Sequence, residues 1–318
     1  MKVIEHILNA TQPLVSVEII PPKRGGNVQQ IYDAINSIKH FNPPFIDVTS
    51  HAAEVSWEKQ KDNTFRKKVR RKSPGTFGLC AMIKYRFGID PVPHLLCGGF
   101  TREETEDALI ELNYLGIENV LALRGDKAVP RDIPTDRSEN RYASDLVHQI
   151  ADMNKGYYSE DLVDAAPTDF CTGVAFYPEK HFQSPNKEFD IGILKQKEAL
   201  GAQYAVSQMF FDNHFYTDYV TLCRQKEITL PLIPGIKILT TKSQLTILPD
   251  IFRLDIPQEL AERMAAAKGR DAEIAVGVDW AYKQCLELLD FGVPCLHFYI
   301  MQNTKPFLML MEKLKKKI

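Results

Sequence analysis

Glu18 stands in the stretch VEIIPPK, residues 17 to 23, a carboxylate inside an aliphatic run that reads as a buried strand and stops at two prolines. A carboxylate in such a place is costly unless it is paired, kept protonated or put to chemical use. Other chemically capable residues close similar apolar runs: Thr49, His94, the triplet Arg124-Gly125-Asp126, Tyr177, Gln208, Lys237 and Tyr299. Together they form a polar set with two carboxylates, Glu18 and Asp126. It has no Ser-His-Asp order, no G-x-S-x-G and no acidic cluster for a divalent metal. Lys237, after IPGI, has the position of a Schiff-base lysine. Each has a plainer reading. Glu18 could serve a structural ion pair, His94 a core hydrogen bond, and Arg124 and Asp126 a turn. Tyr299 could be packing and Lys237 merely solvated.

The elements that would position these residues follow a repeated unit. FGIDPVPHLL (87–96), LGIENVLALR (115–124), LGAQYAVSQM (200–209) and FGVPCLHFYI (291–300) each place a glycine after an amphipathic segment and before an apolar run. The pattern predicts a helix, a left-handed stop at Gly88, Gly116, Gly201 or Gly292, and a short buried strand. Thr101 and Glu104 have the spacing of a capping box at one such helix start. Four more strands are expected at 14–20, 45–49, 171–176 and 230–236. Helices are expected at 27–40, 74–87, 102–115, 141–153, 188–200, 214–226, 273–290 and 305–317. Eight alternating units in one domain, 1–318, match a (β/α)8 TIM barrel, whose strand C-terminal ends surround the site. A doubly wound open sheet is the alternative, and its phosphate fingerprint is missing. Gln208 and Tyr299 fall seven residues after their glycines, so they are expected to point in similar directions. The stretch 127–140 reads as a loop over the active face.

Composition narrows the partners. A formal charge of −2 gives no general reason to expect nucleic acid or an anionic membrane. Six cysteines without a C-x-x-C pair read as reduced thiols, which implies a cytoplasmic protein without a metal site. The basic run FRKKVRRK, residues 65–72, reads as a solvated loop or helix end, with phosphate binding as the sharper alternative.

In order along the chain, VEIIPPK, VPHLLC, LALRGD, YASDLV, VAFYPEKH, SQMFFDN, LIPGI and HFY resemble the motifs of methylenetetrahydrofolate reductases. The resemblance covers essentially the whole chain and is to the single-domain bacterial type. It implies an FAD-containing barrel that reduces 5,10-methylenetetrahydrofolate to 5-methyltetrahydrofolate with NADH or NADPH. It also implies a cytoplasmic homo-oligomer that supplies methyl groups for methionine synthesis. Glu18 matches the family's general acid, which protonates folate N10 so that a reactive 5-iminium ion forms. Asp126 matches the aspartate beside flavin and pterin, where its charge would help stabilise the iminium. Gln208 matches a glutamine that contacts folate and nicotinamide. Thr49, His94, Arg124, Gly125, Asp126, Tyr142, Ala143, Tyr177, His181, Asp190 and Lys197 match positions that hold FAD. Burial of Glu18 at the mouth is expected to keep its proton near neutral pH.

The chain departs from the pattern at three places. Lys242 stands near a family aromatic, Asn303 where an arginine meets the folate tail, and Gln196 where a basic residue precedes the matched lysine. Lys305 or the run 65–72 is the expected substitute for the missing tail cation. Two rival functions stay open on sequence: a Schiff-base lyase or aldolase using Lys237, and a non-catalytic barrel that binds a ligand.

Overall fold

The computed structural model describes residues 1–50, 54–70, 75–125, 138–315 and 317. Its apolar runs form β1 (Leu14–Ile19), β2 (Phe45–Val48), β3 (Glu54–Lys59), β4 (Phe65–Arg70), β5 (Asp90–Leu96), β6 (Asn119–Leu123), β7 (Cys171–Phe176), β8 (Tyr204–Ser207), β9 (Leu232–Ile233), β10 (Gly235–Ile236) and β11 (Cys295–Met301). Nine of them form one sheet in the order β10-β11-β1-β2-β5-β6-β7-β8-β9. Every pairing in that sheet is parallel, and its strands are buried almost throughout, as strands covered on both faces must be. The two ends of the order, β9 and β10, are consecutive in the chain and separated by Pro234, which has no N–H to give the ladder. They are the two halves of one expected strand, so the sheet curls into the nearly closed barrel foreseen from the repeat.

All eight expected helices are present, and the four glycine stops have φ of +67° at Gly88, +61° at Gly116, +116° at Gly201 and +88° at Gly292. The capping box also forms, with Thr101 N–H donating to Glu104 Oε2 at 2.8 Å and Glu104 N–H to Thr101 Oγ1 at 3.1 Å. One core layer joins the outer faces of the strands to the surrounding helices, through residues such as Val17, Ile35, Leu109, Ile150 and Leu288. A second fills the barrel with Phe45, Val92, Leu121, Cys171, Tyr204, Val206 and Ile233. Val3 of the helix Val3–Asn9 joins that inner group. Its N–H donates to Asn119 Oδ1 at 2.7 Å, and His6 Nε2 lies 2.8 Å from Asp90 Oδ2. Asn119 and Asp90 begin β6 and β5, so this helix closes the end of the barrel opposite the strand C-termini.

Five of the described elements differ from the sequence expectation. The helix Val3–Asn9 was not anticipated; its seven residues carry too short a stripe. The basic run is neither loop nor helix end over residues 65–70: it is β4, antiparallel to β3 in a hairpin inserted after β2. The helices Gln244–Phe252 and Gln258–Ala266 form a third apolar group with Met209, Phe211, Leu239 and Leu254. Pro249 inside the first and Pro257 at the N-cap of the second masked them as loop. The long helix Arg270–Phe291 closes on this group at Gly277, where an added Cβ would lie 1.8 Å from the Leu239 carbonyl oxygen. Residues 154–170 run as a turn-rich segment tied by Asn154, whose Nδ2 donates to the Phe170 carbonyl at 2.9 Å. That segment leads into the start of β7, at the closed end of the barrel. Among the described residues no helix is long and apolar enough to cross a membrane.

Candidate active site

Parallel registration places Glu18 of β1 opposite Asp47 of β2 on one side and Tyr299 of β11 on the other. His94 of β5 reaches the same level: its Nε2 lies 3.6 Å from Glu18 Oε2 and 3.6 Å from Asp47 Oδ1. Asp47 is fully buried, and neither of its oxygens has a hydrogen-bond partner among the described residues. Burial pushes its carboxyl up to about 6, against the pull of His297. His297 is itself buried, pushed down by desolvation, and its Nδ1 lies 2.9 Å from Ser16 Oγ. Glu18 sits above this dry group, with its side chain 12% exposed.

Lys237 closes the same mouth from the end of β10. Its Nζ donates to the Tyr299 carbonyl at 2.8 Å, and burial lowers its pKa while Glu18 raises it. The Tyr299 hydroxyl donates to the Ser207 carbonyl at 2.5 Å, and the neighbouring Gln208 turns its Oε1 to accept from the Met209 N–H at 2.9 Å. A cavity of about 380 Å³ opens here, lined by Lys237, Thr240, Gln244, Tyr299, Gln302 and Asn303.

A second group gathers at the ends of β5, β6 and β7. Lys197, on the helix Lys187–Ala199, is partly buried and donates to the Ala175 carbonyl at 3.1 Å; desolvation pulls it down to about 8. Asp190, on the same helix, accepts from the His181 N–H at 3.1 Å and the Ser184 hydroxyl at 2.9 Å. The His181 ring meets Tyr177 edge-on, with centroids 4.6 Å apart. The Arg124 guanidinium donates to Gln183 and lies 5.2 Å from the Tyr142 ring centroid. Gly125 has φ +94° and Ala143 opens the helix Ala143–Met153. Buried Thr49 accepts at its carbonyl from Thr76 Oγ1 at 3.0 Å. Two cations, a half-buried histidine, a carboxylate and two phenols at one rim suit an elongated ligand carrying phosphates, hydroxyls and a flat ring.

A profile of the Methylenetetrahydrofolate reductase family matches residues 3–315. The chain belongs to this family. It is 32% identical over 303 residues to methylenetetrahydrofolate reductase 1 of Schizosaccharomyces pombe, covering 94% of this chain and 45% of that protein. It is 29% identical over 293 residues to the 5,10-methylenetetrahydrofolate reductase of Escherichia coli, covering 92% and 87%. The chain thus spans about half the length of its yeast relatives and most of the bacterial one. Among solved structures, an uncharacterised protein from Clostridium thermocellum, described as binding two copies of 5-methyl-5,6,7,8-tetrahydrofolic acid, covers 99% of both chains with a TM-score of 0.59. At 12% identity that likeness shows a shared fold.

Within this family fold the sequence-expected residues fall into two neighbourhoods, one around Glu18 and one around Lys197. Asp126 and the loop to 137 lie outside the described residues. Lys305, expected as a substitute cation for the folate tail, donates from Nζ to Asp271 at 3.1 Å, and Lys242, near the family aromatic, donates from Nζ to the Ala265 carbonyl at 2.8 Å. Asp47, Ser16 and His297 were missed. Asp47 carried the signal that singled out Glu18, a carboxylate within an apolar strand, FIDVT, and strand-end counting passed over it.

Proposed function

We propose that the protein reduces 5,10-methylenetetrahydrofolate to 5-methyltetrahydrofolate with NADH or NADPH through bound FAD, in one domain, 1–318. The observation that carries the reading is Glu18 at the open end of the barrel, between His94 and Lys237, in a chain of this family. Cytoplasmic location, homo-oligomeric assembly and a role in methionine synthesis belong to the same reading.

The residues at the second rim fit a flavin dinucleotide. Partly buried Lys197 has a carbonyl contact and an ammonium suited to phosphate, and Arg124 adds a forked donor. Asp190 suits ribose hydroxyls, while Tyr177, His181 and Tyr142 offer ring faces and edges. Thr49, His94, Gly125 and Ala143 complete the set, with Asp126 on the loop beyond. Bound there, the flavin would supply two-electron transfer between nicotinamide and folate.

Glu18 holds a proton and delivers it to folate N10. It stands opposite Asp47 across the strand pair and 3.6 Å from His94 Nε2. Gln208 orients the substrate, and the nearby Tyr299 ring, pinned by its bond to the Ser207 carbonyl, shapes the wall beneath. Asp126, the residue after Gly125, would help stabilise the developing cation. A Schiff-base reaction at Lys237 is not favoured: its Nζ is already directed to the Tyr299 carbonyl.

The test is the visible spectrum of the purified protein. A yellow protein whose colour NADH bleaches without oxygen, and methylenetetrahydrofolate restores, is expected. A colourless protein that takes up no FAD would end this reading.

A further inference from the structure

We infer that Asp47 is a positioning residue for the proton of Glu18: ionised Asp47 claims the N–H of His94 Nε2, and Glu18 keeps its own proton for the substrate. The inference rests on the reading of Glu18 as the acid.

The geometry is a contest for one donor. Glu18 and Asp47 are cross-strand partners, and the His94 Nε2 lies 3.6 Å from an oxygen of each. One ring nitrogen carries at most one hydrogen. Asp47 is fully enclosed and its two oxygens have no hydrogen-bond partner among the described residues, which leaves the nearby His94 Nε2 as a donor within a small movement. An enclosed carboxylate gains more from a donor than one nearer to water, so Asp47 is the stronger claimant. Its charge also disfavours a second negative charge on Glu18, the rule for carboxyls that share a site.

His297 faces Asp47 from β11, and its Nδ1 is engaged with Ser16. The other titratable groups that feel Asp47 are Tyr204 of β8, Tyr299 and Cys295 of β11, and Cys80 of the helix Thr76–Met82. Burial pushes all four upward, so they stay neutral across the working range. Lys237 acts on Glu18 from the opposite side and opposes the effect. Burial holds Asp47 near 6, so it is ionised wherever an acid active at neutral pH gives up its proton.

The experiment compares wild type, Asp47→Asn and Glu18→Gln as the full FAD-loaded chain, with the two half-reactions followed separately. In Asp47→Asn the alkaline limb of the folate half-reaction should move to lower pH by about one unit. The NADH half-reaction should keep the wild-type pH profile, which a merely structural lesion would disturb. Independently, the infrared band of a protonated carboxylic acid that Glu18→Gln removes should titrate at lower pH in Asp47→Asn. An unmoved limb or an unmoved band overturns the inference. If Asp47→Asn does not fold, Asp47→Ser takes its place. The wild-type spectrum then adds a check, since Asp47 must titrate before Glu18 and the reverse order refutes it. Should Glu18→Gln retain the folate half-reaction, the acid assignment fails and this inference with it. Loss in Glu18→Gln with no shift in Asp47→Asn removes this inference alone.

Discussion

Lys237 donates its ammonium to the main-chain carbonyl of Tyr299 at 2.8 Å, which ties the end of β10 to β11 across the mouth of the barrel. The bond uses one of three ammonium hydrogens, in surroundings that lower the lysine's pKa by desolvation. Lys237→Met should therefore leave the fold intact, with stability at pH 7 within about 1 kcal/mol of wild type in urea unfolding. Borohydride treatment in the presence of aldehydes or keto acids should leave no substrate-derived mass on Lys237, as peptide mapping would show.

Glu18→Gln separates the two halves of the proposed cycle. Flavin reduction by NADH should continue at close to the wild-type rate, while reoxidation by methylenetetrahydrofolate should be lost. Stopped-flow absorbance follows each half. Equal loss of both would assign Glu18 a structural role.

Lys197 makes flavin retention depend on pH. Desolvation brings its pKa to about 8, so its charge fades as pH rises past that value, and a bound phosphate moves the change upward. FAD should dissociate more readily with each step above pH 8, read as fluorescence of released flavin after gel filtration. Lys197→Met should bind FAD weakly at all pH values and lose the dependence.

Asp47 should also mark the stability profile. Its folded pKa of about 6 lies above the unfolded value of 3.8, so its protonated form contributes stability that is complete below the lower value. That contribution is lost as pH rises through the folded value, an order of about 3 kcal/mol for a shift of roughly two units. Asp47→Asn should be more stable than wild type at pH 8 by a margin that shrinks towards pH 4. Chemical denaturation at a series of pH values measures it.

Gly277→Ala tests the packing behind the cavity. The new methyl would meet the Leu239 carbonyl at 1.8 Å, and the helix must retreat. A loss of about 1–3 kcal/mol is expected. Folate affinity should weaken with it, because Leu239 lies between the cavity residues Ile238 and Thr240. Calorimetry and a folate titration would show the two effects together.

The barrel was legible because its signals are local and repeated. Helix stops such as Gly116 and strands such as VLAL recur at a spacing that only alternating units explain. The helix Val3–Asn9 was not legible, since its seven residues, about two turns, are held by tertiary contacts such as Val3 to Asn119. Prolines hid the two helices after β10, although both tolerate their proline by position or by a bend. In the site, strand-end counting found Glu18, His94 and Lys237 but stopped at the rim. Asp47 lies two residues deeper than Thr49, and its importance depends on cross-strand registration, which one sequence does not display.

The helix Val3–Asn9 has a consequence for traffic. It stoppers one end of a barrel whose inside is already filled by Phe45, Val92, Leu121 and Tyr204, so among the described residues a ligand is left the other end as its doorway. An electron donor and an electron acceptor that both need that doorway cannot pass one another. In the proposed cycle they would take turns, and the order of turnover would follow from architecture before any chemistry begins.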